Sequence, residues 1–174
     1  MANTNNPKSF VPISISLDCY KREFEASASL ASEDGDILYF DADGRMTDNP
    51  ATTGRIAGLQ VSAIINQTTG DVRSGTTVVG DKVTVNCDPD LLFKGQSSVF
   101  ALADPVTTAV STTCFDVAGA AGVQYVDAGS STYDIIRVVG LSSEDNTGKQ
   151  SAIGAYAKCI FGFNPFKHFM RSSS

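Results

Sequence analysis

The sequence contains one histidine, no tryptophan and no cysteine pair in CxxC spacing. Each absence narrows the function. Nucleophilic hydrolysis of the Ser-His-Asp or Cys-His kind needs a base held rigidly against its nucleophile, and the only imidazole, His168, stands in the C-terminal tail. Without CxxC, zinc ribbons and thioredoxin-type redox chemistry lack their signature. Without tryptophan, a sugar-stacking platform loses its usual residue. No GxxxxGK[ST] or GxGxxG is present to cradle a phosphate. No apolar run approaches the roughly 18 to 20 residues of a membrane-spanning helix. Basic residues are few as well: 13 Lys and Arg against 19 Asp and Glu give a net charge of −6 and a pI near 4.6. Phosphate backbones are bound by clustered Lys and Arg, so neither nucleic acid nor membrane is an expected partner.

What is present is ordinary globular material. A chain of 174 residues with 42% hydrophobic and 18% charged residues suits one domain with its own core. The opening, Met1 to Pro7, is polar and has no signal-peptide character, which predicts synthesis in a cytoplasm. Cys19, Cys87, Cys114 and Cys159 are widely spaced. They are expected to be buried, reduced thiols acting as small hydrophobes, the alternative being a disulfide in a mature extracellular particle.

Residues 1–10 lack periodicity and are expected to form a flexible N-terminal arm, ahead of a domain over 11–163 and an aromatic C-terminal tail over 164–174. From Val11 a period of two begins. Val11, Ile13, Ile15 and Leu17 alternate with polar residues, as do Phe24, Ala26, Ala28 and Leu30, and each set predicts a strand with one buried face. Ile37 to Phe40 lies between two Asp-Gly turns, Asp34-Gly35 and Asp43-Gly44. Further strands are expected over Ile56–Ile65, Lys82–Asn86, Leu91–Phe93 and Tyr133–Leu141. Two ragged ones are expected near Val99–Leu102 and Thr113–Asp116, and the text between them suits a short helix equally well. Ser151–Phe163 closes the series with Ile153, Ala155, Ala157, Cys159, Phe161 and Phe163 on one face. Short strands separated by turn signals predict an all-β fold, an antiparallel β-barrel or β-sandwich (jelly-roll-like).

Asp34, Asp36, Asp41 and Asp43 crowd around the two Asp-Gly turns. Several carboxylates suit calcium, but the order Asp-Ala-Asp-Gly lacks the later acidic ligand positions of an EF-hand, and hairpins use Asp-Gly in any case. The residue pattern therefore assigns no catalytic, cofactor-binding or metal-ligating residue, and no cofactor.

Three segments in order carry a family resemblance: Gly35-Asp36-Ile37-Leu38-Tyr39-Phe40-Asp41-Ala42-Asp43-Gly44-Arg45 followed by Gly54 to Leu59; Val83 to Lys94, a strand running into Cys87-Asp88-Pro89-Asp90; and the closing Lys158 to Asn164. Together they resemble the head decoration (capsid cement) proteins of tailed bacteriophages. The resemblance covers well under half of the chain and carries over no functional residue. It implies an all-β, non-enzymatic structural protein, a homo-oligomer and often a trimer, bound to the major capsid protein on the outer surface of the virion. Other classes remain open: a tail- or fibre-associated β-module, a carbohydrate- or receptor-binding module of the virion, or an enzyme.

Overall fold

In a computed structural model, described over residues 7–14, 17–51, 53, 55–98, 114–142 and 156–170, the alternating segments assemble into two antiparallel sheets. Numbered along the chain, the strands are β1 (Val11–Pro12), β2 (Lys21–Glu25), β3 (Ile37–Phe40), β4 (Met46–Thr47), β5 (Ile56–Gln60), β6 (Lys82–Asn86), β7 (Leu92–Gln96), β8 (Cys114–Ala118), β9 (Tyr125–Asp127), β10 (Ile136–Leu141) and β11 (Lys158–Phe163). One sheet runs β1-β7-β11-β10-β8-β9, the other β2-β6-β5-β3-β4. The result is a β-sandwich and not a closed barrel.

The core between the sheets follows from strand parity. Ala157, Cys159, Phe161 and Phe163 of the β11 segment are buried on one face with Phe93, Ile136 and Val138. They meet Ile37, Tyr39, Ile56 and Leu59 of the opposite sheet. The rings of Phe93 and Phe163 lie 5.0 Å apart. Side chains at the alternate positions, Leu38, Ala57, Val83 and Val85, form a second apolar layer on the far face of the five-stranded sheet. Loop residues Leu30 and Ile64 and the tail residues Phe169 and Met170 pack into that layer. The central strand β5 of that sheet is thus buried on both faces.

Several expectations change. Ser9 and Phe10 do not belong to an arm: both are buried, and the Phe10 amide donates to the carbonyl of Gly35 at 3.0 Å. Phe10 stacks edge-on against Phe93 at 5.3 Å and Phe161 at 6.1 Å, so it belongs to the core. Of the alternation from Val11 to Leu17, Val11–Pro12 forms an edge strand, Ile15 lies outside the described residues, and Val11, Ile13 and Leu17 are exposed and not buried. The final segment 164–174 is not a separate tail over its described part: Ile56 donates to Lys167 O at 3.0 Å and Phe169 donates to Ile56 O at 3.1 Å. The strand expected at Thr113–Asp116 is found as Cys114–Ala118, whereas 1–6, 99–113 and 143–155 lie outside the described residues. Strands β4 and β9 had no sequence signal, being two and three residues long.

Candidate functional site

The acidic residues that sequence reading set near one another are placed apart and given different work. Asp36 is buried; its carboxylate accepts from the Ser9 hydroxyl, from Glu33 N at 2.9 Å and from Gly122 N at 3.0 Å. Ser9 Oγ in turn accepts from Gln124 N at 2.9 Å, and Gln124 Oε1 accepts from Ile37 N at 2.7 Å. Asp41 receives the amides of Asp43 and Arg45 at 2.9 and 2.8 Å, and Asp43 pairs with Arg45 at 2.6 Å. Gly35 and Gly44 have φ of 92° and 81°, the positive values an Asp-Gly turn needs. Among the described residues no three His, Cys, Asp or Glu side chains gather as a metal site would require.

Two more buried carboxylates organise loops that the sequence did not single out. Asp116 accepts from Ser130 Oγ (2.6 Å), Thr132 N (3.0 Å), Tyr133 N (2.7 Å) and Asp134 N (3.0 Å), which folds 130–134 around it. Asp81 takes a bidentate pair from Arg73 at 2.6 and 3.0 Å and further bonds from Val78 N at 3.0 Å and Gln67 N at 3.3 Å. Burial pushes the Asp81 carboxyl up, but the Val78 amide, Arg73 and the Gln67 amide outweigh it and hold the group below the ordinary carboxylate range. These carboxylates stiffen the connections between strands.

The groups with nucleophilic or basic chemistry are dispersed. His168 is fully buried, its ring 5.2 Å from Phe163 and 5.4 Å from Phe169. Burial pushes the thiols of Cys87 and Cys159 up to about 12, and Cys114 is raised by burial and then by Asp134. Cys19 alone is exposed. None of the four is paired; Cys87 and Cys159 are buried as expected, whereas Cys114 is half-buried and Cys19 departs from the expectation.

Three surface features stand out among the described residues. The first is an open groove of about 910 Å³ between residues 29–34, 63–64, 72–77 and Ala121. Its apolar lining includes Leu30, Ile64 and Val72, and Glu33 and Asp34 also line it. Neither carboxylate has an ion-pair partner among the described residues, whereas the groove's Arg73 is neutralised by Asp81. The Ser32 hydroxyl at the same place is buried without a hydrogen bond. The second is the chain in and after β1, where Val11, Ile13 and Leu17 are 46%, 44% and 65% exposed. The third is Phe166, 86% exposed beside Pro165. Its turn is clamped by Asn164, whose Oδ1 accepts from Phe166 N at 3.0 Å and whose Nδ2 donates to Asp134 O at 2.8 Å. Sequence periodicity marked Val11, Ile13 and Leu17 as a strand face and composition marked the tail as aromatic, but no local signal joins the four stretches of the groove. No family model, no curated protein and no solved structure matches the chain.

Proposed function

We propose that this chain is a non-enzymatic structural protein of a virion, a capsid decoration protein. It binds the major capsid protein on the outer surface of the assembled head and stabilises contacts between its subunits. The observation that carries this reading is the exposed row Val11, Ile13 and Leu17, rooted by the buried Phe10 immediately before it. Several large apolar side chains left in water close along the chain to a firmly anchored residue suit a surface that another protein covers. Pro12 sits within β1 and has no amide to offer a further strand, so this edge favours side-chain contact over extension of the sheet. The loop-bracing carboxylates Asp36, Asp81 and Asp116 suit a rigid module whose work is mechanical.

A ligand that binds only the assembled lattice stabilises it by mass action, and an oligomer with several feet adds avidity. The test is attachment. The triple substitution Val11→Thr, Ile13→Thr, Leu17→Ser is expected to leave melting of the free protein unchanged and to strip it from purified particles under heating or low salt. Full retention of the variant would overturn the reading. Copy number in the particle separates a capsid component, present in abundance, from a tail- or fibre-associated module, present in a handful.

A further inference from the structure

We propose that the groove beside Glu33 and Asp34 receives the Phe166–Lys167 turn of a second copy of this chain. The inference rests on the reading of the protein as a homo-oligomer and supplies the contact that would build it.

The two surfaces complement each other in shape, polarity and charge. Phe166 projects from a turn that is fixed on both sides: Asn164 clamps it before, and the exchange between Ile56 and residues 167 and 169 clamps it after. An exposed aromatic ring held this rigidly loses little conformational freedom on docking, which is the property of an interface anchor. Lys167 follows directly and has no ion-pair partner among the described residues. The groove offers the opposite set. Leu30, Ile64 and Val72 give it an apolar floor, Glu33 and Asp34 give it two uncompensated negative charges, and its volume of about 910 Å³ falls in the size range of sites that enclose a large side chain with its neighbours.

The same chain carries both halves, and Phe166 is not part of the groove lining of its own molecule. A contact between unlike surfaces of identical chains is head-to-tail, and it closes into a ring when the rotation per copy divides a full turn. The expected trimer is one such ring. The self-contact and the capsid-facing row Val11, Ile13 and Leu17 use different residues, so an oligomer assembled this way keeps that row available to the lattice.

Charge reversal with rescue tests the pairing. Sedimentation equilibrium of the full chain at micromolar concentration is expected to show an oligomer. Phe166→Ala should weaken self-association by about tenfold or more, with melting unchanged at concentrations where both proteins are monomeric, because the side chain is exposed in the single copy. Lys167→Glu and the double variant Glu33→Lys, Asp34→Lys should each dissociate the oligomer, and combining all three should restore it. As a second arm, a synthetic peptide of residues 163–170 should bind the Phe166→Ala protein and fail to bind the Glu33→Lys, Asp34→Lys protein. A wild-type chain that stays monomeric, or an oligomer indifferent to Phe166→Ala, overturns the proposal. If particle retention persists in either case, the capsid reading stands without it. Loss of particle retention by Phe166→Ala with no change in oligomeric state would assign the turn to the capsid and overturn the self-contact.

Discussion

The ring of Phe10 lies directly over Gly95, and a β-carbon at position 95 would overlap its Cδ1 edge. Strand β7 therefore leaves a side-chain position empty so that a residue from before the first strand can enter the core beside Phe93 and Phe161. Phe10→Ala is expected to cost about 3–5 kcal/mol, as for other buried aromatic truncations. Gly95→Ala should also destabilise, by forcing the ring aside. Urea denaturation checks both. Deleting residues 1–6 should leave the midpoint where it is, and extending the deletion through Phe10 should lower it sharply. Equal midpoints for the two deletions would remove Phe10 from the core.

Phe166 and Phe169 look alike in the sequence and differ in the fold. Phe169 lies 5.1 Å from Phe40 and 6.3 Å from Phe24, in the layer that covers the outer face of the five-stranded sheet. Phe169→Ala should cost about 2–4 kcal/mol, less than a full core truncation because the ring is partly exposed. Phe166→Ala should fall within about 0.5 kcal/mol of the parent. Thermal melting of the two variants side by side decides the matter, and equal losses would contradict the placement.

Tyr39 is buried between the sheets with its hydroxyl unpaired, one of few such atoms among the described residues. Burial, and then the charges of Asp116, Asp48 and Asp36, push its ionisation well above the ordinary tyrosine range. Tyr39→Phe removes an unsatisfied polar atom while keeping the ring. It is expected to be neutral or to stabilise by about 1 kcal/mol. A loss above that size would show that the hydroxyl has a partner.

The buried thiols set an alkaline limit. Cys87 and Cys159 are pushed up to about 12 by burial, whereas thiols of the unfolded chain titrate near about 8.5. A folded value above the unfolded one means that the contribution is complete below about pH 8.5 and is lost as pH rises toward the folded value. Melting temperature should therefore fall steadily above about pH 8.5, and Cys159→Ala should flatten that slope. A thiol reagent at neutral pH should label Cys19 at once and reach Cys87 and Cys159 only after denaturation. Prompt labelling of either buried thiol would refute their enclosure.

Asp116→Ala would strand the amides of Thr132, Tyr133 and Asp134 together with the Ser130 hydroxyl. With about 1–3 kcal/mol for each donor left buried and unpaired, and partial relief from water, a net loss of about 3 kcal/mol is expected. Limited proteolysis should then cut within 128–134, where the parent resists. A variant that resists equally would mean that the loop is held by other contacts.

Local pattern was enough to read the all-β class and the parity of the best strands. The alternation ending at Phe163 puts Ala157, Cys159, Phe161 and Phe163 on a single buried face, because a strand turns successive side chains to opposite sides whatever lies around it. The two Asp-Gly turns were equally legible, since the backbone value they require belongs to the residue itself. The thinly spread basic residues and isolated histidine were matters of composition. Parity says which residues share a face, but not whether anything covers that face. Val11, Ile13 and Leu17 alternate in the sequence as cleanly as the β11 residues, yet among the described residues they are exposed. Phe10, with no periodicity around it, entered the core because Gly95 on a strand about eighty residues away left it room. The groove is of the same kind: its walls come from four stretches of chain. Only tertiary packing brings those stretches together, because the contacts that enclose a space are made between residues whose separation along the chain carries no local signal.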